Sequence, residues 1–363
     1  LDTKAHSNPW YPIVADRTDG LRPEPKRPTL PPYVARLFAF ALLAVGLSAG
    51  ARGAEGEAAS SCLYAPAAPA GLASKDAVAD YASVLKACRA ADGRVSVAIR
   101  AMTLAGTPIL LLADPERLST RLERVACWTC RDASEESLAD TRMMRAVAQS
   151  AEAPGLTRRG FLQNAGLTHG AAPGAFVTGD LCPSRRPLDR PFFDKLAAQG
   201  PHTPVALSIS GLWLIHHFQD YRWLLDRQAA GALDILWVDH TYHHPYRRGL
   251  PNDRNFLLAK GVDADAEILD TERLLIANGQ TPSLFFRFPG LISSAPLMQA
   301  VSRHHLISLG ADAWLALGQR PGEGSIILVH PNGNEETGLA AFDRDLSRGA
   351  IAQPFEPLIA APN

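Results

Sequence analysis

From Gly174 onward, short apolar runs alternate with longer amphipathic stretches. Residues 175–178, 205–210, 233–238, 284–287, 306–309 and 326–329 are each too short for a helix and rich in aliphatic side chains, which predicts buried strands. Between them, residues 190–198, 218–230 and 263–277 carry apolar positions at helical spacing, such as Ile268, Leu269, Leu274 and Leu275. Strict alternation of this kind predicts a parallel sheet or barrel covered by helices. Upstream the pattern is mixed. Residues 76–86 read as an amphipathic helix, 95–99 and 109–112 as strands, and 134–151 as a helix capped by Ser134. This suggests a small α+β unit over residues 73–155 with no recognisable chemistry of its own. The segment 158–162 (Arg-Arg-Gly-Phe-Leu) resembles a twin-arginine signal, but it lies mid-chain with no apolar run after it and reads as a loop.

The N-terminal quarter has a different character. Residues 1–33 are rich in proline and charge, lack periodicity and read as disordered or untranslated. Val34-Ala-Arg36, the apolar run Leu37 to Leu47 and the small-residue site Ala49-Gly-Ala51 then form the three parts of a secretory signal peptide over residues 34–51. Translation is expected to start near Val34 and the mature chain near Arg52, followed by a flexible lead-in over 52–72. The apolar run is short for a membrane span, so an exported, periplasmic or extracellular protein without a stable membrane anchor is expected. With 36 Lys and Arg against 37 Asp and Glu, no field attracts nucleic acid.

Export gives the five cysteines a meaning. In an oxidising compartment Cys62 with Cys88, or Cys127 with Cys130, could pair, and an odd count leaves one thiol over. The Cys127-Trp-Thr-Cys130 spacing lacks the strand and helix of a redox motif and a second such pair for zinc. A structural bridge or two thiols is the simpler reading.

Polar groups gather where the strands of the second region end, the place where α/β folds do their chemistry. Asp180 follows the first strand, His240 and His244 the third, Arg287 the next, Asp312 comes shortly after the following one, and His330 ends the last. Each alone has a bland alternative as a cap, a surface ion pair or a core histidine. Six together point to a site. His240 and His244, four residues apart on a turn leaving a strand, can aim two imidazoles at one divalent ion.

These residues resemble the motifs of the polysaccharide deacetylases, metal-dependent esterases acting on N-acetylated sugars. Val177-Thr-Gly-Asp180-Leu-Cys-Pro-Ser184 is similar to the family's T-F-D-D-G-P-S, His240-Thr-Tyr-His-His244 to H-S/T-x-x-H, and Arg287-Phe-Pro-Gly290 to R-x-P followed by glycine. Asp312-Ala-Trp314 and Leu328-Val-His330 are similar to the last two motifs. The resemblance spans residues 174–345. It implies a distorted (β/α) barrel and a divalent metal, zinc foremost, on Asp180, His240 and His244. It also implies His330 as general acid, Asp312 and Arg287 setting charge and orientation, and an acetylated sugar or polysaccharide as substrate. His243 has no role in the pattern. The implied activity is hydrolysis of an amide, N-deacetylation of an extracytoplasmic glycan.

One departure bears on activity. With one inserted residue before Pro183-Ser184, Asp180 matches the metal-binding second aspartate, and the proton-accepting first one falls on Gly179. Loss of a general base costs ~10^2- to 10^4-fold in rate. Asp239 or Asp312 could substitute, and Gly179→Asp is expected to restore rate. The rival reading is a catalytically silent, metal-containing carbohydrate-binding protein on the same fold.

Overall fold

The computed structural model describes residues 62–363, apart from 67, 68, 154 and 159. The expected tail, signal peptide and most of the lead-in lie outside the described residues. No helix among the described residues is long and apolar enough to cross a membrane.

The first sheet is antiparallel, in the order β4-β3-β2-β1-β5, from β1 (Val78–Ala90), β2 (Val95–Leu104), β3 (Thr107–Ala113), β4 (Thr120–Arg124) and β5 (Trp128–Asp132). Here the structure corrects the helix expected over 76–86, which is part of β1. Two bulges explain the misreading: between Ala79 and Ala82, and again between Ser83 and Lys86, β1 advances three residues while β2 advances two. Each extra residue resets the alternation of faces and leaves apolar positions at a spacing that imitates a helix. Cys88 and Cys130 face each other across β1 and β5 and form a disulfide, and Cys62 bonds Cys127. Neither pairing is one of those considered from sequence.

The helix expected over 134–151 is two. Ser134 caps Glu135–Leu138 in a reciprocal capping box, and Thr141 caps a second helix, Arg142–Glu152. The loop expected at 158–162 is a hairpin of β6 (Leu156–Arg158) and β7 (Phe161–Gln163), and β7 pairs further with the short strand Ile292–Ser293.

Next come β8 (Phe176–Leu181), β9 (Thr203–Ile209), β10 (Leu233–Asp239), β11 (Phe285–Phe286), β12 (Ile292–Ser293), β13 (Ile307–Ser308), β14 (Ala313–Trp314) and β15 (Ile326–Val329). All but β12 form one seven-stranded parallel sheet, β13-β11-β10-β9-β8-β15-β14. Helices such as Arg190–Ala197, Phe218–Ala229 and Ala264–Ala277 connect its strands. This is the expected α/β fold, a curled and open (β/α) barrel.

The two sheets share a core and a buried ion pair. Arg100 on β2 and Glu272 on the helix Ala264–Ala277 are both fully buried, with guanidinium to carboxylate contacts of 2.6 and 2.8 Å. Tyr81 donates to the same carboxylate at 2.8 Å.

Candidate metal centre

Alternation along β8 builds the first wall of the site. Thr178 and Asp180 point to one face, and Val177 and Leu181 to the other, where they join the apolar core beneath the helices. Continuing the period past the strand end brings Cys182 to the side of Asp180.

The second wall is the loop leaving β10. His240 is fully buried and its Nδ1 donates to the Arg287 carbonyl at 2.8 Å, which leaves Nε2 facing the site. Thr241 and His244 hold left-handed backbone conformations, φ 69° and 50°. Such conformations are costly for non-glycine residues and recur at functional sites. They turn the loop so that the two imidazole rings lie 4.8 Å apart between centroids. The structure brings His240 and His244 together. His243 points elsewhere, to Glu267 at 2.7 Å, with its side chain 60% exposed.

Cys182 completes the group. Its sulfur lies 3.4 Å from Nε2 of His240, and the donor atoms of Cys182, His240 and His244 all fall within 4.8 Å of one another, all buried. Asp180, expected as the third ligand, is not in that group. Its Oδ1 accepts from Arg287 Nη1 at 2.8 Å, while Oδ2 stands 3.7 Å from His240 Nε2 and 4.0 Å from His330 Nε2. Arg287 is fully buried and also donates to Thr178 Oγ1 and to the Gly310 carbonyl.

The electrostatics follow from this crowding. Burial pushes the Asp180 carboxyl up, but Arg287, with His240 and His330, outweighs it and holds it at about 2. Burial likewise raises the Cys182 thiol, and the imidazoles of His244 and His240 bring it well below its usual value. For His330 burial favours the neutral ring, yet Glu335 raises it well above the ordinary histidine value.

His330 follows β15, and its Nδ1 donates to Glu335 Oε2 at 2.9 Å. The other oxygen of Glu335 accepts from Trp314 Nε1 at 2.9 Å. Asp312, expected beside this histidine, is elsewhere. It accepts from the backbone of Ile326, the first residue of β15, and pairs with His169 and Ser325. Four residues of strand, about 13 Å, separate that end of β15 from His330. Asp239, weighed as a substitute base, is buried next to His240 but hydrogen-bonds the backbone of Thr241 through Oδ1.

A cavity of about 780 Å³ lies against the first sheet, lined by Cys88, Trp128, Cys130 and others, away from these groups.

No family model matches the sequence. Among solved structures, a family 4 carbohydrate esterase of Bacillus subtilis is similar at 14% identity and a TM-score of 0.40, over 63% of this chain and 89% of that one. A family 4 carbohydrate esterase of Bacillus anthracis is similar at 18% identity and 0.39, over 54% and 86%. The chain is similar to family 4 carbohydrate esterases. A family 4 pseudoenzyme of Bacillus anthracis is also similar, at 12% identity and 0.36, over 56% and 76%. Superpositions this loose leave the chemistry to be read from the residues themselves.

Sequence reasoning gave no role to two members of the site, Cys182 and Glu335. The period-two pattern from Asp180 would have found the first. For the second, the polar run Pro331-Asn-Gly-Asn-Glu335 after His330 was the available signal.

Proposed function

We propose that this protein is a metal-dependent amide hydrolase that removes N-acetyl groups from an extracytoplasmic glycan. The observation that carries the reading is the placing of three buried metal-type donors beside an ionised carboxylate and a histidine held by a glutamate. Two imidazoles with a third donor suit a divalent ion of the zinc type, the donor chemistry expected of a catalytic site with an open position. His240 and His244 would hold it. When bound, such an ion polarises an acetyl carbonyl and lowers the pKa of water.

The chain's own groups then divide the proton work. Asp180 serves better as proton acceptor than as ligand, since Arg287 fixes one oxygen and leaves the other facing His240 and His330. The sequence supports this assignment. Read without an inserted residue, Thr178 to Ser184 falls on T-F-D-D-G-P-S position for position, with Asp180 as the first aspartate and Leu181 in place of the second. His330, its Nδ1 proton committed to Glu335, offers Nε2 as the acid for the departing amine. Arg287 orients Asp180 and holds its charge. Two disulfides among the described residues support an oxidising, extracytoplasmic location.

A second reading, a catalytically silent, metal-containing carbohydrate-binding protein, is favoured by the same ion pair. A carboxyl held at about 2 is ionised at neutral pH but weakly basic. Metal analysis and acetate release from a panel of N-acetylated glycans separate the two. Release that disappears in His240→Ala and Asp180→Asn supports the hydrolase. Bound metal and glycan with no release on any substrate supports the silent protein.

A further inference from the structure

We infer that the third protein ligand of the metal centre is the sulfur of Cys182, so that the site takes a thiolate-binding ion such as zinc or cobalt rather than a hard, oxygen-seeking one. The inference rests on the metal-dependent reading above and specifies its donor set.

Geometry separates the two candidates at the end of β8. Cys182 Sγ and His240 Nε2 are 3.4 Å apart. That is close to the edge, about 3.5 Å, of a tetrahedral site with metal–sulfur bonds of ~2.3 Å and metal–nitrogen bonds of ~2.0–2.1 Å. Only the sulfur, with one atom each from His240 and His244, forms a mutually close triad among the described residues. The Asp180 carboxylate already has a strong partner in Arg287, which also ties Thr178 and Gly310, so recruiting it as a ligand would disturb a buried ion pair. A buried cysteine is most often a small apolar side chain. This one is not in apolar surroundings, because imidazoles approach its sulfur and Asn332 anchors its carbonyl at 2.9 Å. Soft sulfur with two imidazoles selects zinc and its neighbours over magnesium, calcium or manganese, which prefer oxygen.

Titration of the intact, disulfide-bonded protein with Co2+ reads the donor set without reference to activity. A cobalt–thiolate bond gives an intense near-ultraviolet sulfur-to-metal charge-transfer band, which nitrogen and oxygen donors do not. The other four cysteines are in disulfides, so the band reports on Cys182. The expected result is a band saturating at one equivalent and retained in Asp180→Asn. In Cys182→Ser the band should vanish and affinity fall more than 100-fold, beyond the roughly 10- to 100-fold typical of losing an outer partner. Should that variant fail to fold, the wild-type spectrum alone decides. One equivalent of bound cobalt without the band overturns the sulfur ligand and leaves the metal-dependent reading standing. No binding of cobalt or zinc overturns both.

Discussion

Arg287 and Asp180 meet at 2.8 Å with both side chains almost completely out of water. A pair so placed is held by what surrounds it: Thr178 Oγ1 accepts the other Nη1 hydrogen, the Gly310 carbonyl accepts one from Nη2, the backbone N–H of Arg287 donates to the Asp239 carbonyl at the end of β10, and the Arg287 carbonyl accepts from His240 Nδ1 in the loop that follows. One residue thus ties β8, β10 and the chain after β13 at the level of the site. Buried ion pairs contribute little compared with an apolar replacement, but removing one partner is severe.

Arg287→Ala is therefore expected to lower unfolding free energy by about 3–5 kcal/mol, the usual cost of stranding one member of a buried pair. Urea unfolding of the two proteins measures it. A loss below ~1 kcal/mol, the level of an exposed pair, would show that water reaches Asp180.

Glu335 acts through His330 and is a positioning residue. Its carboxylate favours the protonated ring, so Glu335→Gln should lower the pKa of His330 and move the alkaline limb of the pH–rate profile to lower pH. Because Glu335→Gln keeps the His330 ring, the rate at the optimum should fall by less than the ~10^2- to 10^4-fold of losing a general acid outright, with smaller change in KM. A fall in rate with an unmoved alkaline limb would mean that Glu335 serves only packing.

Much of this was legible in the sequence, and the failures have physical causes. Parallel strands buried on both faces read as continuous apolar runs, so β8, β9, β10 and β15 were located within a few residues, and His240 and His244 with them. The bulged β1 was not legible, because its irregularity is set by pairing with β2. Asp312 follows β13 as expected, but β14 begins at the next residue, and strands of two residues are too short in sequence to show that this aspartate opens one strand instead of closing the other. An alignment that places an insertion after Asp180 gives Cys182 no position in the motif. Plain alternation along the strand places them on one side.

Acid sensitivity should come from the junction of the two sheets. His305 is buried, and desolvation, with Arg100 and His304 nearby, lowers its pKa to about 4. A depressed value means the folded state keeps a neutral ring that the unfolded chain would protonate. Stability is therefore full above about pH 6.5 and declines as pH falls toward about 4, by roughly 3 kcal/mol from this group. His305 has a left-handed backbone, φ 58°, which asparagine tolerates. In His305→Asn the urea midpoint should vary less between pH 7 and pH 4 than in wild type. Equal pH slopes for the two proteins would remove His305 as the cause.

Gly179→Asp offers the sharpest contrast between sequence and structure. If Gly179 had lost a catalytic carboxylate, restoring one should raise the rate by ~10^2 or more. The structure predicts otherwise. A Cβ at this position would lie 3.0 and 3.1 Å from Pro331 and 3.2 Å from Leu207, on the strand face opposite Asp180. Its backbone is not in the left-handed region, so the constraint is space and not φ. An aspartate there would press a carboxylate into apolar surroundings with no partner, and both crowding and desolvation would oppose folding. The variant should be less stable by about 1–3 kcal/mol from crowding alone, with no gain in acetate release per folded molecule. Unfolding and activity have to be measured on the same preparation. A gain in rate without loss of stability would mean that the side chain reaches the site after all, and would return the family's first aspartate to position 179.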